Sequence, residues 1–151
     1  MPQIIEVHKD NFTISTDPSR LDRDSIVDFL TRAYWASGRP RERTERALDH
    51  SLVFGLYDGD RQIGLARVVS DYAIFAYLCD VFIHEDYRAQ GLGKWLIETV
   101  MSHPDLQGLR RWTLATRDAH GLYRQFGWHD LQSPEKWMEL FRPFPGEGQG
   151  S

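Results

Sequence analysis

The sequence predicts one domain of mixed α and β structure, built around a single sheet. Its 151 residues suit one ordinary domain with its own core. Segments that alternate apolar and polar side chains are interleaved with segments of helical spacing along the chain. The stretch IFAYLCDVFI, residues 74–83, is almost wholly apolar, which predicts a central strand covered on both faces.

The first third of the chain predicts one strand followed by two helices. NFTIST, residues 11–16, alternates apolar and polar side chains and indicates a first or edge strand. Residues 20–34 carry apolar side chains at helical spacing and predict a helix. A second, short helix is predicted over residues 40–48, with Pro40 in the first turn, where a missing N–H has no cost.

The middle and last thirds predict a hairpin, the central strand and a series of shorter elements. Strands are predicted at 52–57 and 62–69, joined by a tight turn at Asp58-Gly59. The elements predicted after the central strand are a helix over 92–102, a strand over 112–115, a helix over 119–126 and a last strand over 137–141. We therefore expect one domain over residues 1–142 and a loose Pro/Gly-rich tail over 143–151.

Composition excludes several classes of protein. A net charge of −4 argues against a general nucleic-acid binder, which usually has a basic balance. A single cysteine excludes an internal disulfide and a metal site built from several cysteines. The N-terminal residues lack an apolar segment long enough for a signal peptide, and no apolar run has membrane-spanning length. The expectation is a cytoplasmic protein with no metal, membrane or nucleic-acid partner.

The stretch HEDYRAQGLGKWL, residues 84–96, is a candidate anion site. Gly91 and Gly93 lie where the central strand passes into the next predicted helix. The first N–H groups of a helix are unpaired and partly positive, and glycine lets an anion approach them closely. Arg88 and Lys94 add full positive charges suited to phosphate.

Two common phosphate loops do not match this stretch. The dinucleotide fingerprint requires a third glycine at the position of Leu96. The nucleotide P-loop requires Ser or Thr after Gly-Lys, and that position is Trp95. A tight turn that needs glycine for its backbone angles remains the structural alternative.

Two motifs together resemble those of the GNAT acetyltransferase superfamily. RAQGLG, residues 88–93, has the form Arg/Gln-x-x-Gly-x-Gly/Ala and is similar to that family's acetyl-CoA pyrophosphate loop. Downstream, Ala119, Leu122-Tyr123 and Gly127-Trp128 resemble the family's Ala-x-x-Leu-Tyr-x-x-x-Gly-Phe stretch, with Trp in place of Phe. The resemblance covers roughly residues 11–141.

This resemblance implies a fold and a cosubstrate. The fold is a mixed, mostly antiparallel central sheet with helices on both faces and a splayed pair of central strands. The cosubstrate is acetyl-CoA. The residues implied to bind it are Val81, Phe82, Ile83, Arg88, Ala89, Gln90, Gly91, Leu92, Gly93, Lys94, Thr116, Asp118 and Tyr123. Thr116 stands where the family often has Asn, and either Thr116 or Asp118 would then contact the pantetheine.

The resemblance also implies an N-acetyltransferase in which Tyr123 protonates the departing thiolate. From position alone, a tyrosine in a short amphipathic helix is more often part of the core. Asp80 stands alone in an apolar strand, so it is either a base facing the cleft or a group paired for structure. Asp118 and His120 are further candidates for the base, and Cys79 is expected to be a small buried hydrophobe.

The acceptor is expected to be a small amine or an amino-acid-like metabolite. Tyr34 and Trp35 would form an aromatic wall. Arg39 and Arg41 would bind a carboxylate or phosphate of the acceptor, although Arg41 has the spacing of an ordinary helix-surface ion pair. Asp71 is a further acceptor-side candidate and also a candidate base. The alternatives are a protein or peptide N-acetyltransferase, and a module that binds acyl-CoA without turnover. A homodimer, as many relatives form, is compatible with the sequence.

Overall fold

The computed structural model describes residues 2–145, and its centre is a six-stranded sheet. The strands lie side by side in chain order, and they are β1 Glu6–Lys9, β2 Phe12–Ser15, β3 Leu52–Asp58, β4 Arg61–Ser70, β5 Phe75–Ile83 and β6 Arg111–Leu114. Neighbours are antiparallel except β5 and β6, which run parallel. The helices are α1 Arg23–Arg32, α2 Arg41–Asp49, α3 Leu92–Met101 and α4 His120–Arg124. The fold class and mostly antiparallel sheet are as predicted.

Local signals explain where the helices begin. The Asp22 side chain accepts a hydrogen bond from the Ser25 amide, which satisfies one of the free donors at the start of α1. Gly91 precedes α3 in the left-handed region, with φ of 78°, a conformation that glycine adopts without strain. Apolar residues of α3 then recur at helical spacing and are buried against the sheet.

The two faces of the sheet are covered by different helices. On one face α3 packs over β3, β4 and β5 in a core that includes Leu96, Ile97 and Val100. On the other face α1 and α2 form a second core, in which the Phe29 ring stacks on Phe82 at 3.8 Å between centroids. This arrangement confirms the expectation of helices on both faces.

A β-bulge in β5 changes which face its residues occupy. Pairing with β4 shifts register between Leu65 and Arg67, and Asp80 opposite the shift has a φ of 50°. Before this point Ala76 and Leu78 belong to the α3 core, and after it Phe82 belongs to the α1 core. One extra residue in a strand reverses the alternation of its side chains. The bulge therefore puts Asp80 on the α1 side of the sheet.

The prediction that residues 74–83 are covered on both faces is wrong for the first half of the strand. Ile74, Phe75 and Tyr77 are exposed, while Ala76 and Leu78 between them are buried. An apolar composition therefore does not imply two covered faces here, because α1 and α2 do not extend over this end of β5.

The predicted strand at 137–141 is also wrong, since these residues belong to no strand. The apolar side chains of this segment are largely exposed, and that of Met138 is 96% exposed. Trp137 instead lies under the Arg111 guanidinium, 5.3 Å from it. Strand propensity depends on such packing partners more than on the backbone itself.

Other boundaries differ by small amounts. The sequence did not indicate β1, whose residues EVHK are mostly polar and exposed. The hairpin turn lies at Gly59-Asp60, one residue later than predicted. Of the predicted tail at 143–151, residues 146–151 lie outside the described residues. In the described part of the chain, no helix is both long and apolar enough to cross a membrane.

Candidate functional site

A cleft opens where β5 and β6 separate. The two strands pair from Phe75 and Arg111 up to Leu78 and Leu114. Beyond Leu78, β5 continues to Ile83 and pairs only with β4, so its other edge has no strand partner within residues 2–145. Backbone groups on that free edge, around Val81, are available to an extended ligand, whereas the Ile83 carbonyl already accepts a hydrogen bond from Arg88 Nε. This is the splayed pair that the resemblance implied.

The glycine loop lies at the end of the same strand. Ala89 and Gly91 both have positive φ, 64° and 78°, and the amides of the first turn of α3 follow directly. Within residues 2–145, a Cβ added to Gly91 or Gly93 would meet no atom within 4 Å apart from those of its chain neighbours and its own helix backbone. Gly93 is helical and has no positive φ, so neither backbone angles nor packing within the chain require glycine there. The open space suits a ligand that lies close to the backbone.

Charged side chains flank this loop on the surface. Arg88 and Lys94 are exposed, and the Arg88 Nε donates a hydrogen bond to the Ile83 carbonyl at 3.2 Å. Gln90 is also exposed, whereas the Leu92 side chain is buried in the α3 core. The loop thus combines free helix amides with positive charge, as an anion site requires.

Tyr123 lies in α4 on the far side of the cleft. Its ring packs against Trp128, with 5.8 Å between centroids, and only 7% of the residue is exposed. Its hydroxyl makes no hydrogen bond with any of residues 2–145. Burial, and then the nearby Tyr34 hydroxyl, raise the pKa of Tyr123 to about 12. The phenol therefore keeps its proton throughout the neutral range and has that proton free to donate.

Tyr34 connects the two sides of the cleft. Its hydroxyl accepts a hydrogen bond from the backbone amide of Arg117 at 3.2 Å, and the Arg117 guanidinium lies 3.8 Å above its ring. Tyr34 belongs to the connection between α1 and α2, whereas Arg117 belongs to the loop between β6 and α4. The contact therefore joins Tyr34 to the loop that leads into α4, the helix of Tyr123. No local sequence signal marked Arg117.

Asp80 is at the centre of a buried polar cluster. One carboxylate oxygen accepts from Trp35 Nε1 at 2.8 Å and from Arg39 Nη2 at 3.2 Å. The other accepts from Arg39 Nη1 at 3.0 Å and from Arg67 Nε at 2.9 Å. Arg67 also donates to the Ser51 hydroxyl at 3.0 Å. We call Trp35, Arg39, Arg67 and Asp80 the Asp80 cluster.

These contacts disfavour Asp80 as a general base. Burial alone would raise the pKa of Asp80, but hydrogen bonds and charges from Arg39 and Arg67 outweigh it and lower that pKa below its usual value. A carboxylate that is ionised so readily and holds this many donors is a poor proton acceptor. The structure thus favours the paired alternative for Asp80, and it shows that Arg39 reaches the carboxylate directly.

The structure does not bring Asp71 to this site. Asp71 lies in the turn between β4 and β5, at the opposite end of β5 from the glycine loop. Its carboxylate accepts hydrogen bonds from the amides of Ile74, Ala73 and Phe75, and these bonds lower its pKa. The carboxylate therefore stabilises the turn.

Thr116, Asp118 and Cys79 have different environments. The Thr116 hydroxyl accepts from the Ala119 amide at 3.1 Å at the start of α4, and Asp118 beside it is exposed. Burial raises the pKa of the Cys79 thiol to about 11. A thiol with so little thiolate is a weak nucleophile, in agreement with its expected structural role.

Comparison with known proteins identifies the family. The model of the acetyltransferase (GNAT) family matches residues 16–128 of the chain. The chain belongs to the GNAT acetyltransferase family. As a member it is an acyltransferase, and both of its GNAT-like motifs fall within or at the edge of the matched region.

Several known proteins resemble this chain in sequence or in structure. A candidate GNAT acetyltransferase from Xanthomonas campestris pv. campestris is 46% identical, and its crystal structure has a TM-score of 0.84 over 95% of this chain and 96% of that one. A candidate acetyltransferase of Gibberella zeae is 31% identical, over 75% of this chain and 76% of the relative. A GNAT acetyltransferase from Elizabethkingia anophelis, crystallised with acetyl-CoA bound, is only 16% identical and shares the fold, with a TM-score of 0.59 over 89% of this chain and 90% of that one.

Proposed function

We propose that the protein is an N-acetyltransferase that transfers an acetyl group from acetyl-CoA to a primary amine of a small molecule. The observation that carries this proposal is the open glycine loop next to the unpaired edge of β5, with the free Tyr123 hydroxyl across the same cleft. Within residues 2–145 neither the backbone angles of Gly93 nor its packing require glycine, so a ligand at the loop explains it.

The residues of the cleft fit acetyl-CoA in three places. The amides that follow Ala89, with Gly91 and Gly93 at their centre, would bind the pyrophosphate, and Arg88 and Lys94 would add charge. The backbone of residues 81–83 would pair with the pantetheine arm. Thr116 or Asp118 would contact that arm from the other side. When bound, acetyl-CoA supplies the activated acetyl thioester.

The remaining steps are proton transfers that this chain must support. An alkylammonium with a pKa near 10.4 is neutral in only about one molecule in a few thousand at pH 7, so deprotonation costs about 4–5 kcal/mol. Asp80 is not assigned as the base, because two arginines hold its carboxylate. Tyr123 would donate its proton to the departing thiolate, and the raised pKa ensures that this proton is present.

The test is a screen of amines with acetyl-CoA, with release of free thiol as the readout. We expect thiol release with at least one class of small amine, and a fall in kcat of about tenfold or more in Tyr123→Phe with acetyl-CoA affinity unchanged by calorimetry. Tyr72→Phe, on the exposed turn between β4 and β5, is the matched control.

Four other outcomes would contradict parts of the proposal. An unchanged kcat in Tyr123→Phe would remove that residue from the mechanism. Acetyl-CoA binding without turnover across a broad panel would indicate a binding module, and turnover of peptides alone would indicate a peptide N-acetyltransferase. Binding of ATP or NAD without binding of CoA would show that the glycine loop holds a different ligand.

A further inference from the structure

The Asp80 cluster carries more positive than negative charge. Arg39 and Arg67 share the single carboxylate of Asp80, and within residues 2–145 neither arginine makes a salt bridge to another acid. Their side chains are 17% and 13% exposed, and that of Asp80 is 2% exposed. One positive charge is therefore left largely desolvated, which is unfavourable unless an anion compensates it.

The two arginines also have donors to spare. Arg39 uses both terminal nitrogens on Asp80, and Arg67 uses Nε on Asp80 and one terminal nitrogen on Ser51. In the described part of the chain, Arg39 Nε and the second terminal nitrogen of Arg67 make no hydrogen bond. Because Asp80 and Ser51 hold the guanidinium planes in place, little side-chain entropy remains to be lost when an anion binds.

The cluster lies beside the point where β5 and β6 separate and the cleft opens. Asp80 is two residues beyond Leu78, where β5 and β6 stop pairing. Trp35 links the cluster to Tyr34, with ring centroids 5.2 Å apart, and Tyr34 is close enough to Tyr123 to affect its pKa. A group held by the arginines therefore lies near the place where the acceptor amine must react.

The surface next to the cluster is apolar. Tyr77 and Phe75 precede Asp80 on β5 and are 39% and 36% exposed, although aromatic rings in a strand are normally covered. The charges of Asp80, Arg67 and Arg39 all act on Tyr77, so its ring borders the cluster. The same surface thus presents an apolar area next to a cationic group.

We infer that the acceptor is an amine that also carries a carboxylate, and that Arg39 and Arg67 bind that carboxylate while Tyr77 contacts the apolar body of the molecule. In this arrangement Asp80 is a positioning residue, since it orients both arginines and contacts no reacting atom. An amino-acid-like acceptor meets these requirements. The inference rests on the proposed acetyl transfer and adds the chemical class of the acceptor.

The experiment compares α-amino acids with their amides as acceptors, because the amide keeps the amine and side chain but removes the negative charge. The readout is kcat/KM from thiol release with acetyl-CoA. The wild-type protein should prefer the best amino acid over its amide by about tenfold or more, with the preference largest for apolar side chains. Arg67→Gln should reduce that preference to about twofold or less. Arg32→Gln should leave it unchanged, since Arg32 is exposed and its guanidinium contacts Asp28 and the Phe29 ring of its own helix.

Distinct outcomes overturn the inference and the proposed function. Equal or faster acetylation of the amides by the wild-type protein overturns the inference alone, as does a preference that survives in Arg67→Gln. If Arg67→Gln does not fold, the wild-type comparison still decides. If none of the amines causes thiol release, the proposed transferase activity is contradicted. Calorimetry with N-acetyl-amino acids and their amides, in the presence of CoA, then tests the anion site directly. Binding that depends on the carboxylate supports the site, and equal or absent binding overturns it.

Discussion

Replacement of Asp80 by Asn tests the Asp80 cluster without disturbing the backbone. The native residue has a φ of 50°, in the left-handed region that costs most residues about 1–2 kcal/mol. Asn adopts this region more readily than other residues with a side chain, so it keeps the bulge and nearly the same shape. The substitution therefore keeps the shape of the side chain, removes the negative charge between Arg39 and Arg67, and replaces one of the two accepting oxygens with an NH2 donor.

The expected loss of stability is large because two guanidinium groups remain without a counter-charge. Removal of one partner from a buried ion pair typically costs about 3–5 kcal/mol. The arginine side chains here are 13–17% exposed, and the Asn oxygen can still accept a hydrogen bond. We therefore expect the free energy of unfolding to fall by about 2–4 kcal/mol. A protein of this size has a total stability of about 5–15 kcal/mol, so Asp80→Asn should still fold.

Urea unfolding at several pH values measures this effect. The folded-state pKa of Asp80 lies below its usual value, so its carboxylate contributes stability above the unfolded-state pKa, which is about 4. That contribution is lost as the pH falls through the folded-state pKa. The difference between wild-type and Asp80→Asn should thus be full at pH 7 and shrink on acidification below about pH 4. A difference below about 0.5 kcal/mol at pH 7, or one that does not change with pH, would refute the assigned role of Asp80.

Two further predictions concern the glycine loop and the cysteine. Gly93→Ala should leave the free energy of unfolding unchanged or raise it by up to about 0.5 kcal/mol, because the position is helical and has open space around it. Calorimetry should show acetyl-CoA affinity about tenfold or more lower in this variant. Unchanged affinity would show that no ligand lies against Gly93. Cys79 should react with iodoacetamide at pH 8 about a hundredfold more slowly in the folded than in the unfolded protein, because folding raises its pKa from 9.0 to about 11. Mass spectrometry measures the labelling of both states. Equal labelling would contradict the prediction, since it would mean that the folded thiol is accessible and ionised.

Much of the fold was predictable because its signals are local. The pattern of residues 92–102 has helical spacing, and the structure has α3 at Leu92–Met101. The hairpin of β3 and β4 follows from two apolar runs separated by a short turn with Gly59. The position of the glycine loop at the start of α3 also follows from neighbouring residues alone. Each of these features depends on residues close together in the chain, which periodicity and turn chemistry describe well.

The errors occurred where long-range packing decides. Residues 137–141 have the composition of a strand, but no partner for them exists in the described part of the chain. The composition of residues 74–83 predicts a strand covered on both faces, but on one face the helices α1 and α2 do not reach as far as Tyr77. Composition reports the preference of a segment, whereas burial depends on which elements reach it.

By itself, the sequence determined the fold class, the glycine loop with its flanking charges, and the presence of Tyr123 in the second motif. Only the tertiary structure decided what Asp80 does. Its partners Trp35 and Arg39 are 45 and 41 residues away in the chain, and Arg67 reaches it from the neighbouring strand. The local sequence around a lone aspartate in an apolar strand does not distinguish a general base from an ion-pair partner. The difference lies in the charges that folding brings to it, and these set both its pKa and its role.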